Sequence, residues 1–159
     1  MSAGKAPSVS RTVQTQLVFP EHANALGKAF GGQVMSWLDM VGGICAMRHV
    51  GGLAVTASVD DLVFERPLVI GDVAVIEARV NAAFRTSLEV EVTVHGERMD
   101  NASRWRCVTA RFTFVAIDGA GQPCAVTPLQ TECDDDVRRE RAATVRRDER
   151  LARRRSGAE

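Results

Sequence analysis

Asp39 is the one carboxylate set into a long apolar run, Gly31 to Val50, GGQVMSWLDMVGGICAMRHV. Val34, Leu38, Val41 and Cys45 recur at helical spacing, and Trp37, Met40, Ile44 and Met47 fill much of the other side. That spacing predicts a helix buried around most of its circumference. A charge there is costly unless it is paired, hydrated or used, and a carboxylate is used as a base or as a nucleophile. Gly42 and Gly43 follow on the face Asp39 points towards. Mid-helix glycine costs roughly 0.5–1 kcal/mol relative to alanine, so these positions predict close approach by another part of the structure. The run opens on Gly31-Gly32, whose amides lack helical partners and face whatever lies at the helix start. Plainer roles stand beside these. Asp39 could be a structural carboxylate bonded to Ser36 or a strand amide, and the glycine pair could serve only tight helix–sheet packing.

The elements around this run follow from the rest of the chain. Its 159 residues, 45% hydrophobic and 25% charged, suit one domain with a substantial core. A formal net charge of zero argues against nucleic acid as a partner. Cys45, Cys107, Cys124 and Cys133 lack zinc-like spacing and are expected as free thiols. His22, His49 and His95 are scattered, with no metal spacing, and Gly27-Lys28 lacks the context of a phosphate loop, so neither metal nor cofactor is expected. Neither a membrane span nor an apolar leader core is visible, and the expected location is the cytoplasm.

Residues Met1 to Ser10, small and polar, are expected to be disordered. Arg11 to Phe19 alternates as a strand ended by Pro20, and a loop leads to the central helix, which Gly51-Gly52 stops. Ala54 to Arg66 returns extended, and Val73 to Ala82 follows the Gly71-Asp72 turn as a strand. Ser87 to His95 alternates most cleanly, with Leu88, Val90, Val92 and Val94 on one face and Glu89, Glu91, Thr93 and His95 on a wet one. Trp105 to Ile117 is the last strand. Its links are too short for parallel crossovers, so the expected fold is α+β, an antiparallel sheet of about five strands wrapped around one long helix. Apolar surface would remain uncovered, and a dimer pairing sheets edge to edge is expected. Asp134-Asp135-Asp136 is expected to cap a charged helix or tail over residues 131–159, its arginines solvated, or in contact with a neighbouring subunit or an anionic ligand.

Four stretches give this pattern a family likeness. PEHANALGKAFGGQVMSWLDMVGG resembles the P-x-x-x-N-x-x-G-x-x-x-G-G-x-x-x-x-x-x-D signature of the hot-dog acyl-CoA thioesterases, in their acyl-CoA hydrolase branch. VTASVDDLVFERPLVIGD, RTSLEVEV and ARFTFVAIDGAGQP follow in the family's order, and the likeness covers roughly residues 11 to 130. It implies a hot-dog domain over those residues, acting on fatty acyl-CoA to give free acid and CoA. It also implies a homodimer with active sites at the subunit interface, often built into a hexamer as a trimer of dimers. Matched to the signature, Asn24 and Asp39 would be the catalytic pair, contributed from opposite subunits. Asp39 would act as base or nucleophile, Asn24 would orient water or carbonyl, and the Gly31 and Gly32 amides would be oxyanion donors.

Arg85, Thr86 and Ser87 look like the family's loop near the pantetheine or nucleotide part of CoA, and Arg66 and Arg111 are weaker candidates of the same kind. The chain departs from the family here: Ala83-Phe84-Arg85-Thr86-Ser87 stands where glycine is usual. Asn24 could also merely cap a turn. Two other functions fit the likeness, a non-catalytic acyl-CoA binding or sensing module and an acyl-thioester hydratase. The hydratase would want a histidine beside Asp39, and none lies at helical spacing from it.

Overall fold

The computed structural model describes residues 4–157. Five strands carry the alternating segments: β1 (Thr12–Leu17), β2 (Leu53–Phe64), β3 (Val73–Ala83), β4 (Ser87–Glu97) and β5 (Arg104–Ile117). They form one antiparallel sheet in the order β1-β3-β4-β5-β2. Three helices complete the chain: α1 (Pro7–Ser10), α2 (Gly31–Val50) and α3 (Asp134–Ser156). The sheet curls around α2, which touches all five strands.

The period-2 pattern fixes what faces α2. Ala74, Ile76, Ala78 and Val80 of β3, Leu88, Val90, Val92 and Val94 of β4, and Ala110, Phe112, Phe114 and Ala116 of β5 are buried there. Val34, Leu38, Val41 and Cys45 of α2 meet them, and the core closes around these residues. A Cβ on Gly42 would lie 3.0 Å from Val92 Cγ2 and 3.3 Å from the Phe114 ring, so the missing side chain lets the helix settle on the sheet. Gly51, at φ +72, ends α2 with its N–H on the carbonyl of Met47.

Two expectations need correction. Of residues 1–10, expected to be disordered, 1–3 lie outside the described residues, but the rest are docked. Lys5 bridges to Leu129, and Ser8 Oγ donates to Glu132 at 2.8 Å. Ser10 is fully buried against His49. The outer face of the sheet, expected to be wet, is covered in part by α3. Arg139 pairs with Glu91 at 2.7 Å, Arg146 with Glu89 at 2.6 Å and Arg150 with Asp60 at 2.7 Å, while Arg79 of β3 pairs with buried Asp136. The helix begins on Cys133 with no capping side chain. Asp136 instead accepts from the backbone of Glu132.

Glu89 is only 2% exposed and accepts from Arg146 and from Asn81 Nδ2. Arg146→Ala leaves that carboxylate buried with one neutral donor. It should cost about 3 kcal/mol in urea unfolding, since a buried charge stripped of its partner is strongly destabilising. A loss below about 0.5 kcal/mol, typical of exposed pairs, would mean that α3 does not shield the sheet.

His49 gives a second prediction. Its Nε2 lies 3.0 Å from the carbonyl of Thr127 and its Nδ1 3.4 Å from Ser10 Oγ. A carbonyl only accepts, so Nε2 carries the proton and Nδ1 takes the Ser10 hydroxyl proton. Burial pushes the pKa of this ring below its usual 6.5. The neutral ring therefore favours the folded state above about pH 6.5. That contribution fades as pH falls through the depressed folded pKa. His49→Gln should reduce the loss of stability below pH 6.5, leaving the contribution of His95, whose pKa burial also lowers.

Candidate active site

The chain enters α2 through a loop tied down by Asn24. Its Oδ1 accepts from the backbone N–H of Leu26 at 2.9 Å and of Lys28 at 3.2 Å, an Asx-type turn. Both bonds fall on the oxygen, which leaves the side-chain NH2 as a donor. Gly27, at φ +69, takes the left-handed position of this turn and donates to the Asn24 carbonyl at 3.0 Å. His22 steadies the approach, accepting from Phe19 N–H at 3.1 Å and meeting the Trp37 ring edge-on at 5.1 Å.

Beside this turn lies an open cavity of about 330 Å³, lined by Asn24, Lys28, Gly31, Phe64, Arg66 and Cys107 among others. Gly31 starts α2 with no capping side chain, so the positive end of the helix dipole opens here. Arg66 sits over the Trp105 ring at 5.3 Å. Glu65, also in the lining, pairs with Arg106 at 2.7 Å. Burial pushes the Cys107 thiol up to about 11, so it stays protonated at neutral pH and is no nucleophile. No three His, Cys, Asp or Glu among the described residues gather as metal ligands would.

Asp39 does not line this cavity. It lies eight residues beyond Gly31, about 12 Å along the helix axis. Contrary to the expectation of a helix apolar and buried nearly all round, Asp39 is exposed in the single chain, with Met35, Met40 and Met47 exposed on the same helix. Its partner is Thr56 of β2, whose Oγ1 donates to Asp39 Oδ1 at 2.5 Å. Thr56 is the functional candidate that sequence reasoning missed. A threonine in an alternating strand carries no signal until the register of β2 against α2 is known.

The remaining candidates divide. Gly31 and Arg66 stand with Asn24 at the cavity. Gly32 does not line it, and a Cβ there would lie 2.7 Å from the ring of the exposed Phe30. Thr86 and Ser87 border a separate, smaller cavity under α3. Arg85 is on the same β3–β4 turn, its carbonyl accepting from Val126 N–H at 3.0 Å. Arg111 is engaged on the outer face by Glu91 at 3.0 Å and Asp61 at 3.4 Å. One chain thus assembles a donor set around Asn24 and, elsewhere, an acid–hydroxyl pair at Asp39.

Comparison with known proteins supplies the context for these two clusters. Residues 26–102 match the Thioesterase superfamily. A Bacillus subtilis protein described as an uncharacterized acyl-CoA thioester hydrolase is 34% identical over 146 residues, covering 92% of this chain and 85% of the relative. Acyl-coenzyme A thioesterase 11 of mouse is 34% identical over 145 residues, 91% of this chain, and the chain spans only 24% of that longer protein. An acyl-CoA hydrolase from Staphylococcus aureus, solved with butyryl-CoA and CoA, superposes with a TM-score of 0.89 at 32% identity, over 97% of this chain and 94% of its own. That enzyme has also been solved with an asparagine, an aspartate or a threonine replaced by alanine. A hexameric acyl-CoA thioesterase superposes at a TM-score of 0.90, with 34% identity over 94% of this chain and 96% of its own. With its five-stranded antiparallel sheet around a long helix, the chain belongs to the hot-dog acyl-CoA thioester hydrolases of the thioesterase superfamily.

Proposed function

We propose that this protein hydrolyses the thioester of fatty acyl-CoA in a site shared between two copies of the chain. One copy supplies Asn24 and the free N–H groups at the start of α2, and the other supplies Asp39 with Thr56. The observation that carries this reading is the pairing of two incomplete halves. Asn24 has its oxygen committed to the backbone and its NH2 available, whereas Asp39 has one oxygen held by Thr56 and the other open to solvent. In the S. aureus enzyme the asparagine, aspartate and threonine replaced by alanine are separated along the chain by 15 and 17 residues. Asn24, Asp39 and Thr56 have the same separations.

The chemistry follows from those donors and acceptors. Asp39 takes a proton from a water that attacks the thioester carbonyl carbon. The carbonyl oxygen gains the negative charge and is met by the Gly31 N–H and the Asn24 NH2. Collapse of the tetrahedral intermediate breaks the C–S bond, and the CoA sulfur leaves as thiolate or takes the proton from Asp39. Lys28 and Arg66 at the cavity give the anionic substrate a favourable potential.

The surface around Asp39 supports pairing with a second copy. β2 is an edge strand, and Leu53, Val55, Val59 and Val63 on it are exposed together with Met40 and Met47 of α2. An exposed apolar edge of this length is a template for strand pairing. The hexameric relative supports a further assembly of such dimers. Free Cys45, Cys107, Cys124 and Cys133 support a reducing, cytoplasmic setting, and no helix among the described residues is long and apolar enough to cross a membrane.

Thiol release from a series of acyl-CoAs tests the proposal. Asp39→Ala should lower kcat about 10²–10⁴-fold, Asn24→Ala about 10²–10³-fold, and Thr56→Val roughly tenfold, the share of one charge-assisted hydrogen bond. Full hydrolysis by both alanine variants sinks the mechanism. Mixing the Asp39→Ala and Asn24→Ala chains tests the sharing. Random exchange should restore about a quarter of the wild-type rate, because half the dimers then hold one intact site of two. Two sites confined to single chains would restore nothing.

A further inference from the structure

We propose that His22 is a positioning residue for the hydrolysis, its imidazole fixing where the Asn24 side chain stands relative to the start of α2. The two donors meant for one oxygen belong to different bodies. The Gly31 N–H is part of the helix, whereas Asn24 sits in a short hairpin made by residues 22–30. Backbone bonds close that hairpin. Asn24 N–H donates to the Lys28 carbonyl at 2.8 Å, Ala23 bridges to Ala29, and Phe30 N–H donates to the His22 carbonyl at 2.8 Å. The Asn24 carboxamide oxygen, holding the Leu26 and Lys28 amides, stiffens the tip. Asn24, Ala25 and Leu26 are exposed, so the tip is not held by packing within the chain.

The hairpin is thus aimed through its two legs. The returning leg is stitched by backbone, with Ala29 N–H on the Leu68 carbonyl at 2.8 Å and Ile70 N–H on the Gly27 carbonyl at 3.2 Å. The outgoing leg, Pro20 to Ala23, has local backbone bonds, and its side-chain tether among the described residues is His22. A backbone N–H only donates, so His22 Nδ1 accepts from Phe19 N–H, at 3.1 Å. Phe19 follows buried Val18, whose N–H and carbonyl are bonded to Asp72 and Gly71 at 2.9 Å each. That bond refers the hairpin to the sheet edge. The same ring meets buried Trp37 of α2, with centroids 5.1 Å apart and planes at 86°, which refers the hairpin to the helix. The hydrogen bond is the directional contact, and the edge-to-face contact fills space.

Two substitutions separate these contacts. His22→Phe keeps a ring against Trp37 and has no acceptor. His22→Asn has no ring but carries Oδ1 as many bonds from the backbone as Nδ1. Phe19 is exposed, so water can meet its N–H, and losing the imidazole acceptor costs little stability while the aim of Asn24 goes with it. His22→Phe should lower kcat for acyl-CoA roughly 10–100-fold with KM within about threefold, the loss expected when a donor shifts by about 1 Å. Its thermal midpoint should hold. His22→Asn should restore most of kcat while lowering the midpoint, because the contact with Trp37 is gone. Wild-type kcat in His22→Phe, equal loss of kcat in both variants, or a loss that falls on KM overturns the proposal and leaves His22 to packing.

These kinetic outcomes rest on the hydrolase reading, and a second readout needs no substrate. Amide hydrogen exchange at Leu26 and Lys28, whose N–H groups Asn24 holds, should quicken at least about threefold in His22→Phe and stay at the wild-type rate in His22→Asn. Unchanged exchange in His22→Phe overturns the proposal. Failure of the wild-type protein to release thiol from acyl-CoA would refute the hydrolase reading instead, and the exchange pattern would still decide whether the imidazole tethers the turn.

Discussion

Everything in this fold depends on one contact, the seating of α2 in the hollow of the sheet. Gly42 lets the helix backbone approach Val92 and Phe114, and Leu38, Val41 and Cys45 fill the contact without remaining exposure. A residue with a Cβ at position 42 would lift the helix by a few tenths of an ångström and loosen packing along the whole seam. The same seating determines which residues are left outside. The side of α2 turned from the sheet carries Met35, Asp39, Met40 and Met47, with Thr56 of the neighbouring strand bonded to Asp39. Packing therefore selects the face on which the acid is displayed.

The outer side of the sheet is held by a different kind of force. There α3 offers little apolar area besides buried Ala143, and its attachment is ionic. Arg139, Arg146 and Arg150 meet Glu91, Glu89 and Asp60, and Asp136 meets Arg79. Buried pairs of this sort contribute less to net stability than their number suggests, since desolvation offsets much of the attraction. Their geometric demand is strict, however. A helix fastened at four points along its length has one register on the sheet, and that register decides which arginines are consumed by carboxylates and which remain unpaired.

The parts legible in the sequence are those with a short period. Alternation in β3, β4 and β5 and the 3.6-residue repeat of α2 need only neighbouring residues to be read, and both survive in the structure. What could not be read depends on residues far apart. Arg146 and Glu89 are 57 positions distant, so nothing local told the basic tail from a solvated one. Ser10 looks like linker sequence, yet it is buried because His49, 39 residues on, needs a donor. The apolar run of α2 misled in an instructive way. Apolar residues that meet the chain's own sheet and apolar residues left bare on its surface have the same composition, so the exposure of Met40 and Asp39 could not be told from burial. Of the candidate site, Asn24, Gly31 and Arg66 do converge at one cavity, while Thr56 had no local signal and Gly32 stands outside that cavity.

Geometry also explains why the proposed reaction needs two chains. A water attacking a carbonyl must sit about 3 Å from both its base and the reacting carbon, with the oxyanion donors about as close on the other side. In one chain the donor cavity opens at the first residue of α2, and Asp39 stands about 12 Å further along a rigid helix, rotated away from that cavity. No rotamer of an aspartate spans that gap. In the proposed dimer a twofold axis beside the exposed face of α2 would remove the difficulty. It would run the two helices in opposite directions and bring the start of one towards the middle of the other, so that each pairing creates two equivalent sites at once. In the proposed dimer that separation acts as a safeguard, because an unpaired chain would present its acid to water with no oxyanion donors beside it.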